Sequence, residues 1–177
     1  MAALVAVGSV FSIPVPLLPP VTLAVFFALL SGLLLGPLWG GAALVLYLLM
    51  GSLGLPVFAN AAGGFGHFKT PTGGFLLGYL GAAVTAGLLA DRRSWSFSRA
   101  LMAGLAGVII LYLIGLPWFR SGLSVKKGTD ISILSAFLMM APYLAGDAIK
   151  AMVAAALIRG LKPLLINYFP ANAGNKK

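Results

Sequence analysis

Along the chain, apolar runs alternate with short clusters of proline, glycine and charge, and six runs can be drawn. Met1–Ile13 leads into Pro14-Val15-Pro16-Leu17-Leu18-Pro19-Pro20. Proline lacks a backbone N–H and restricts the residue before it, so this stretch is predicted to be an extended connection. Val21–Leu35 is closed by Gly36-Pro37, a turn signal, and Leu38–Leu53 is closed by Gly54-Leu55-Pro56. After a linker, Val57–Thr72, come Gly73–Ala90, ended by Asp91-Arg92-Arg93, and Ser98–Leu116, ended by Pro117. A mixed stretch, Trp118–Asp130, carries Arg120, Lys126 and Lys127. The last region, Ile131–Tyr168, is too long for one simple span. Pro142 divides it into a predicted short helix dipping in from the outer face, Ile131–Ala141, and a sixth helix, Tyr143–Leu165. The prediction is an all-α membrane bundle of six transmembrane helices, one polytopic domain over residues 1–177, with a Gly- and aromatic-rich outer loop between helices three and four.

Composition supports reading the runs as membrane spans. Of 177 residues, 60% are hydrophobic and 8% charged, with mean hydropathy +1.05; a soluble domain carries roughly 25% charged residues. The formal net charge is +9, from twelve Lys and Arg against Asp91, Asp130 and Asp147. In a soluble chain that balance suggests nucleic acid. Here the bases are thinly spread between apolar runs and read as topology signals facing anionic membrane lipid. With both termini inside, the inner side holds Arg92, Arg93, Arg99, Arg159, Lys162, Lys176 and Lys177, and the outer side holds Lys69, Arg120, Lys126 and Lys127. This bias puts the linker after helix three, the stretch after helix five and the start of helix six outside. Met1 runs directly into apolar residues without a basic n-region, which argues against a cleaved signal peptide. The first run is short for a span of roughly 20 residues; either the start lies upstream or helix one extends into the proline-rich segment.

Charge inside the runs changes the picture. In Tyr143-Leu144-Ala145-Gly146-Asp147-Ala148-Ile149-Lys150 an acid and a base stand three positions apart within an apolar segment, and on a helix they share a face. Ionisable groups within membrane spans are costly and mark substrate sites, ion sites or paired locks. Mutual neutralisation that merely locks the bundle is one account. Near a helix start, however, the macrodipole favours the carboxylate and not the ammonium, so an anionic ligand group would help to hold Lys150. The linker is the second feature. It is dense in glycine and in aromatics, Phe58, Phe65 and Phe68, with Phe75 just beyond it. A connection needs only a handful of residues, and non-helical backbone near membrane depth is tolerated when buried or lining a cavity, so a lid over a site is expected.

Other chemistries fit poorly. Phe68-Lys69-Thr70 lacks the glycine that a phosphate-binding loop has before its lysine, so ATP binding is rejected. The single histidine, His67, lies in the linker without a Gly-x-Ser-x-Gly context, which argues against a hydrolase; His67 reads as a lid residue. The absence of cysteine removes disulfides and thiolate metal sites. No catalytic residue, metal ligand or cofactor is expected.

Three motifs occur in order: Gly54-Leu55-Pro56-Val57-Phe58-Ala59 with Asn60, Pro71-Thr72-Gly73-Gly74-Phe75-Leu76-Leu77-Gly78-Tyr79, and Gly146-Asp147-Ala148-Ile149-Lys150. With Ile13-Pro14-Val15-Pro16 and the Gly36-Pro37 turn, they resemble the BioY family, the substrate-binding subunits of energy-coupling-factor biotin transporters. The resemblance covers nearly the whole chain. It implies a six-helix membrane protein that captures biotin from outside and works with a transmembrane coupling subunit and two cytoplasmic ATPases. It also implies that Ala2 and Ala6 form the small-residue motif of helix one that meets the coupling subunit. Asp147 would accept the ureido N–H bonds with Asn60 beside it, and Lys150 would donate to the ureido oxygen or to the carboxylate tail. Phe58, Phe65, Phe75, Tyr79 and Tyr143 would enclose the ring, with His67, Thr72 and Gly73 completing the implied site. The chain departs from the family pattern at Ala24, where a glutamine is common, and at Thr70, where a glycine is common. Rival readings are the same architecture binding another vitamin such as lipoate or thiamine, and a scaffold with a buried ion pair.

Overall fold

The structure is a computed structural model that describes residues 1–13, 15, 19–90 and 96–168, without the side chains of residues 127, 162 and 164–168. Five helices carry the fold: α1 (Ala2–Val10), α2 (Ala24–Ser52), α3 (Gly73–Leu89), α4 (Phe97–Lys127) and α5 (Ile133–Tyr168). A short antiparallel ladder, β1 (Ser12–Ile13) with β2 (Val21–Thr22), joins α1 to α2. The extended connection expected at 14–20 lies mostly outside the described residues, as do Asp91, Arg92, Arg93, Lys176 and Lys177. Three helices, α2, α4 and α5, are long and apolar enough to cross a membrane.

Helix α2 is not straight. Gly36 sits at φ 81°, ψ −179°, a conformation open to glycine and strained for side chains. Beyond it Gly40 lies against the Ser31 carbonyl and Gly32, and the Ser31 hydroxyl donates to the Gly40 carbonyl at 3.4 Å. Residues eight apart cannot touch on one continuous helix, where they stand about 12 Å apart. The helix therefore folds back at Gly36-Pro37, as the turn signal predicted. Two other prolines behave differently. Pro117 lies inside α4 and Pro142 inside α5, so neither the predicted stop at Leu116 nor the division at Pro142 is present. Membrane helices tolerate proline because neighbouring groups re-satisfy the freed carbonyl.

Small residues set the spacing. A Cβ at Gly32 would overlap the Ala83 carbonyl of α3, and one at Gly87 would overlap Gly36-Pro37 of α2; such positions let membrane helices approach closely. Helix α3 packs extensively on α2 and on α4, and α4 packs on α5. One core cluster joins α2, α3, α4 and α5 through residues such as Leu29, Leu33, Leu111, Met140 and Ile158. A second joins α1, α2, α3 and the linker through Val5, Leu44, Tyr47, Phe58 and Leu76. Ala2 is buried in this second cluster and Ala6 packs against it. The structure thus turns Ala2 fully and Ala6 partly toward the bundle, and Ala3, Leu4 and Val7 are the exposed residues of α1.

Candidate functional site

The linker's order comes from one ring. Phe58 is fully buried, in space left by Gly51, where any Cβ would overlap it. Phe58 meets Tyr47 edge-on at 5.5 Å and Phe68 at 5.9 Å, and the His67 ring lies 5.2 Å away. Two short 3-10 turns, Ala59–Ala61 and Phe65–Lys69, flank this anchor. Asn60 and Ala61 both adopt positive φ, 58° and 53°, which asparagine tolerates better than alanine. Ser12 ties the first turn to α1's end: its hydroxyl donates to Asn60 Oδ1 at 2.9 Å and accepts from the Asn60 N–H at 3.0 Å. The Asn60 amide nitrogen makes neither bond. His67 sits in this loop, outside the spanning segments, and partial burial pushes its imidazole below the ordinary 6.5.

Beneath the linker lies a cavity with an empty volume of about 850 Å³, part of it open to solvent. Met140, Tyr143, Asp147 and Lys150 of α5 line it; their spacing of three and four places them on one helical face. Phe75, Leu76 and Tyr79 of α3, Leu111 and Tyr112 of α4, Ser9 of α1 and Thr22 of β2 complete the walls, with Asn60, His67 and Thr72 from the linker.

Asp147 is buried and held on both oxygens. Lys150 Nζ donates to Oδ1 at 2.8 Å, and the Tyr112 hydroxyl donates to Oδ2 at 2.9 Å. Each carboxylate oxygen can accept more than one bond, so both retain capacity for a ligand donor. Tyr143 donates to the Pro19 carbonyl at 2.6 Å, tying α5 to the connection before β2. Tyr47 donates to Ser9 at 2.9 Å behind the wall. Because α5 begins at Ile133, Asp147 lies well inside the helix; the helix-start electrostatics expected for the pair are absent, and Tyr112 is the additional donor.

Of the residues singled out in the sequence, Asn60, His67, Thr72, Phe75, Tyr79, Tyr143, Asp147 and Lys150 come together around this cavity. Phe58, Phe65 and Gly73 do not: Phe58 packs into the second core cluster behind the linker. Phe65 is 68% exposed and leans on Phe68 at 5.6 Å, while Gly73 is pressed against the Phe68 backbone. Sequence reasoning missed Tyr112, Ser9 and Thr22. For Tyr112 a signal existed, a hydroxyl in the middle of an apolar span, where tyrosine usually seeks a partner. Among the described residues, no group of three or more His, Cys, Asp or Glu could hold a metal ion.

An all-helical membrane protein with a cavity beneath a loop, a carboxylate acceptor, ammonium and amide groups and aromatic walls is a small-molecule-binding membrane protein. Comparison with known proteins narrows this. The BioY family model matches residues 1–167, and the chain belongs to that family. It is 38% identical to the biotin transporter BioY of Thermotoga maritima over 163 residues, covering 92% of this chain and 91% of that one. It is 35% identical to the biotin transporter BioY of Rhodobacter capsulatus, covering 89% and 86%. Among solved structures it is similar to a crystal structure of the S-component for biotin from an ECF-type ABC transporter. The TM-score is 0.77 and the identity 26%, with 92% of this chain and 86% of that chain covered.

Proposed function

We propose that this chain is the biotin-binding membrane subunit of an energy-coupling-factor transporter, capturing biotin from outside and delivering it inward. The observation that carries this reading is the buried Asp147–Lys150 pair in a lidded, aromatic-walled cavity, in a family whose relatives are named biotin transporters. The chain is a multi-pass protein of the cell membrane and a transport subunit, not an enzyme. ATP hydrolysis falls to two cytoplasmic ATPases that join it through a transmembrane coupling subunit. Counting the two arms of α2 on either side of Gly36 as separate crossings gives six membrane helices. The coupling subunit meets α1 on the exposed face that carries Leu4 and Val7, beside the inward-turned Ala2 and Ala6.

Biotin's head is a cyclic urea with two N–H donors and one carbonyl, and its tail is a carboxylate. Asp147 accepts a ureido N–H. Lys150, held 2.8 Å from the same carboxylate, donates to the adjacent ureido oxygen. The 2.8 Å Lys150–Asp147 contact supports the ureido oxygen over the tail carboxylate, which is several bonds away from the head. Asn60 adds its free amide donor, and Phe75, Tyr79 and Tyr143 flank the ring system, with His67 and Thr72 at the linker side. The direct test is radiolabelled biotin and the detergent-purified chain without ATP. Saturable binding is expected. No biotin binding, with binding of lipoate or thiamine instead, assigns a different substrate.

A further inference from the structure

We infer that Tyr112 is a positioning residue for the acceptor, fixing the Asp147 carboxylate so that it selects a ligand with an N–H donor. This rests on the reading of the cavity as the biotin site. Tyr112 reaches Asp147 from another helix, α4, with its hydroxyl 2.9 Å from Oδ2, while Lys150 of α5 holds Oδ1 at 2.8 Å. Two donors on two oxygens stop rotation of the carboxylate about its last bond. Tyr112 is itself fixed. It is buried in the core that joins α4 to α5, and Phe75 meets its ring edge-on at 5.7 Å. Tyr112 lines the same cavity as the carboxylate it donates to. A phenol hydroxyl donating to Asp147 leaves the acid acting as an acceptor toward the ligand. A ligand without N–H at that point then faces an unmet buried acceptor, which is how polar sites reject analogues strongly.

The test is a double-mutant cycle of biotin affinity on the full purified chain: parent, Tyr112→Phe, Asp147→Asn and both together. Tyr112→Phe is expected to weaken biotin about tenfold, the effect of losing one charge-assisted hydrogen bond. In the Asp147→Asn background the same change is expected to do almost nothing, because the two residues act as one unit. Tyr112→Phe is also expected to narrow the gap between biotin and an analogue blocked at the ureido nitrogen. Losses that multiply independently, or unchanged affinity in Tyr112→Phe, overturn the inference. If Tyr112→Phe does not fold, fluorotyrosine at 112 keeps the shape and strengthens the donor; affinity unmoved by it overturns the inference equally. A parent chain that binds no biotin instead removes the functional reading itself, so the two failures are distinguishable.

Discussion

A carboxylate withdrawn from water needs donors in place of solvent. Asp147 receives one on each oxygen, from Lys150 and Tyr112. Asp147→Asn exchanges an acceptor for an amide and sets N–H groups against the Lys150 ammonium. Biotin affinity is expected to fall about ten- to a hundredfold, the loss of a hydrogen bond to a charged group at roughly 1.5–3 kcal/mol, while expression stays normal; equilibrium binding measures it. Lys150→Met makes a different point. It strands a buried carboxylate, and breaking a buried pair costs about 3–5 kcal/mol. The thermal midpoint in detergent is expected to drop further in Lys150→Met than in the doubly apolar Asp147→Leu/Lys150→Met, which regains stability but not biotin. A double variant that still binds biotin leaves only the scaffold reading. Asp147 and Lys150 were legible in the sequence because charge within an apolar run stands out. Tyr112 carried a weaker signal, a phenol in the middle of an apolar span, and Ser9 none, because a small hydroxyl in a span is unremarkable until folding sets another polar group beside it.

Among the elements, the linker's depth in the structure traces to Gly51, whose missing side chain admits Phe58. Gly51→Val is expected to expel that ring. Overpacking of this kind costs about 1–3 kcal/mol, and the linker should lose its anchor, seen as faster amide exchange over residues 57–70 and quicker biotin dissociation. Acidification acts on the same loop through His67, which burial holds below its ordinary 6.5. The sign follows from linkage. The unfolded loop takes up the proton first, so the loop's stability is full above about 6.5 and declines as pH falls through that value toward the lower folded one. The protection of the amides across 57–70, taken relative to the intrinsic exchange rate at each pH, is expected to fall between pH 7.5 and pH 5.5, and less so in His67→Phe, which keeps a ring against Phe58. That the linker is an ordered segment lining a cavity, and not an idle connection, was readable from its length, glycines and aromatics. Helix boundaries were less so: Gly36-Pro37 reverses the chain, whereas Pro117 and Pro142 do not. Proline marks a missing donor in every case. Only Gly36, with its positive φ, supplies the backbone conformation that a reversal needs.

For the whole molecule, hydropathy made the membrane class plain, and the cavity needed the fold, since its walls come from all five helices, β2, the connection before it and the linker. What sequence adds is a direction, because excess Lys and Arg stay on the cytoplasmic side. The cavity's linker carries Lys69, which is exposed, and α5 continues past Asp147 to Arg159, also exposed. The twelve residue steps from Asp147 to Arg159 span about 18 Å at 1.5 Å per residue, more than half of a hydrocarbon core of roughly 30 Å. Capture from outside requires Lys69 and Arg159 on opposite sides of the membrane. The chain contains no cysteine, so a single Lys69→Cys or Arg159→Cys gives an unambiguous label. A membrane-impermeant maleimide added to intact cells is expected to modify the cysteine at 69 and to spare the one at 159 until the membrane is permeabilised. The reverse pattern would put the cavity mouth on the cytoplasmic side. Biotin would then reach the Asp147 carboxylate from within the cell, and the uptake direction would fail even with the binding chemistry intact.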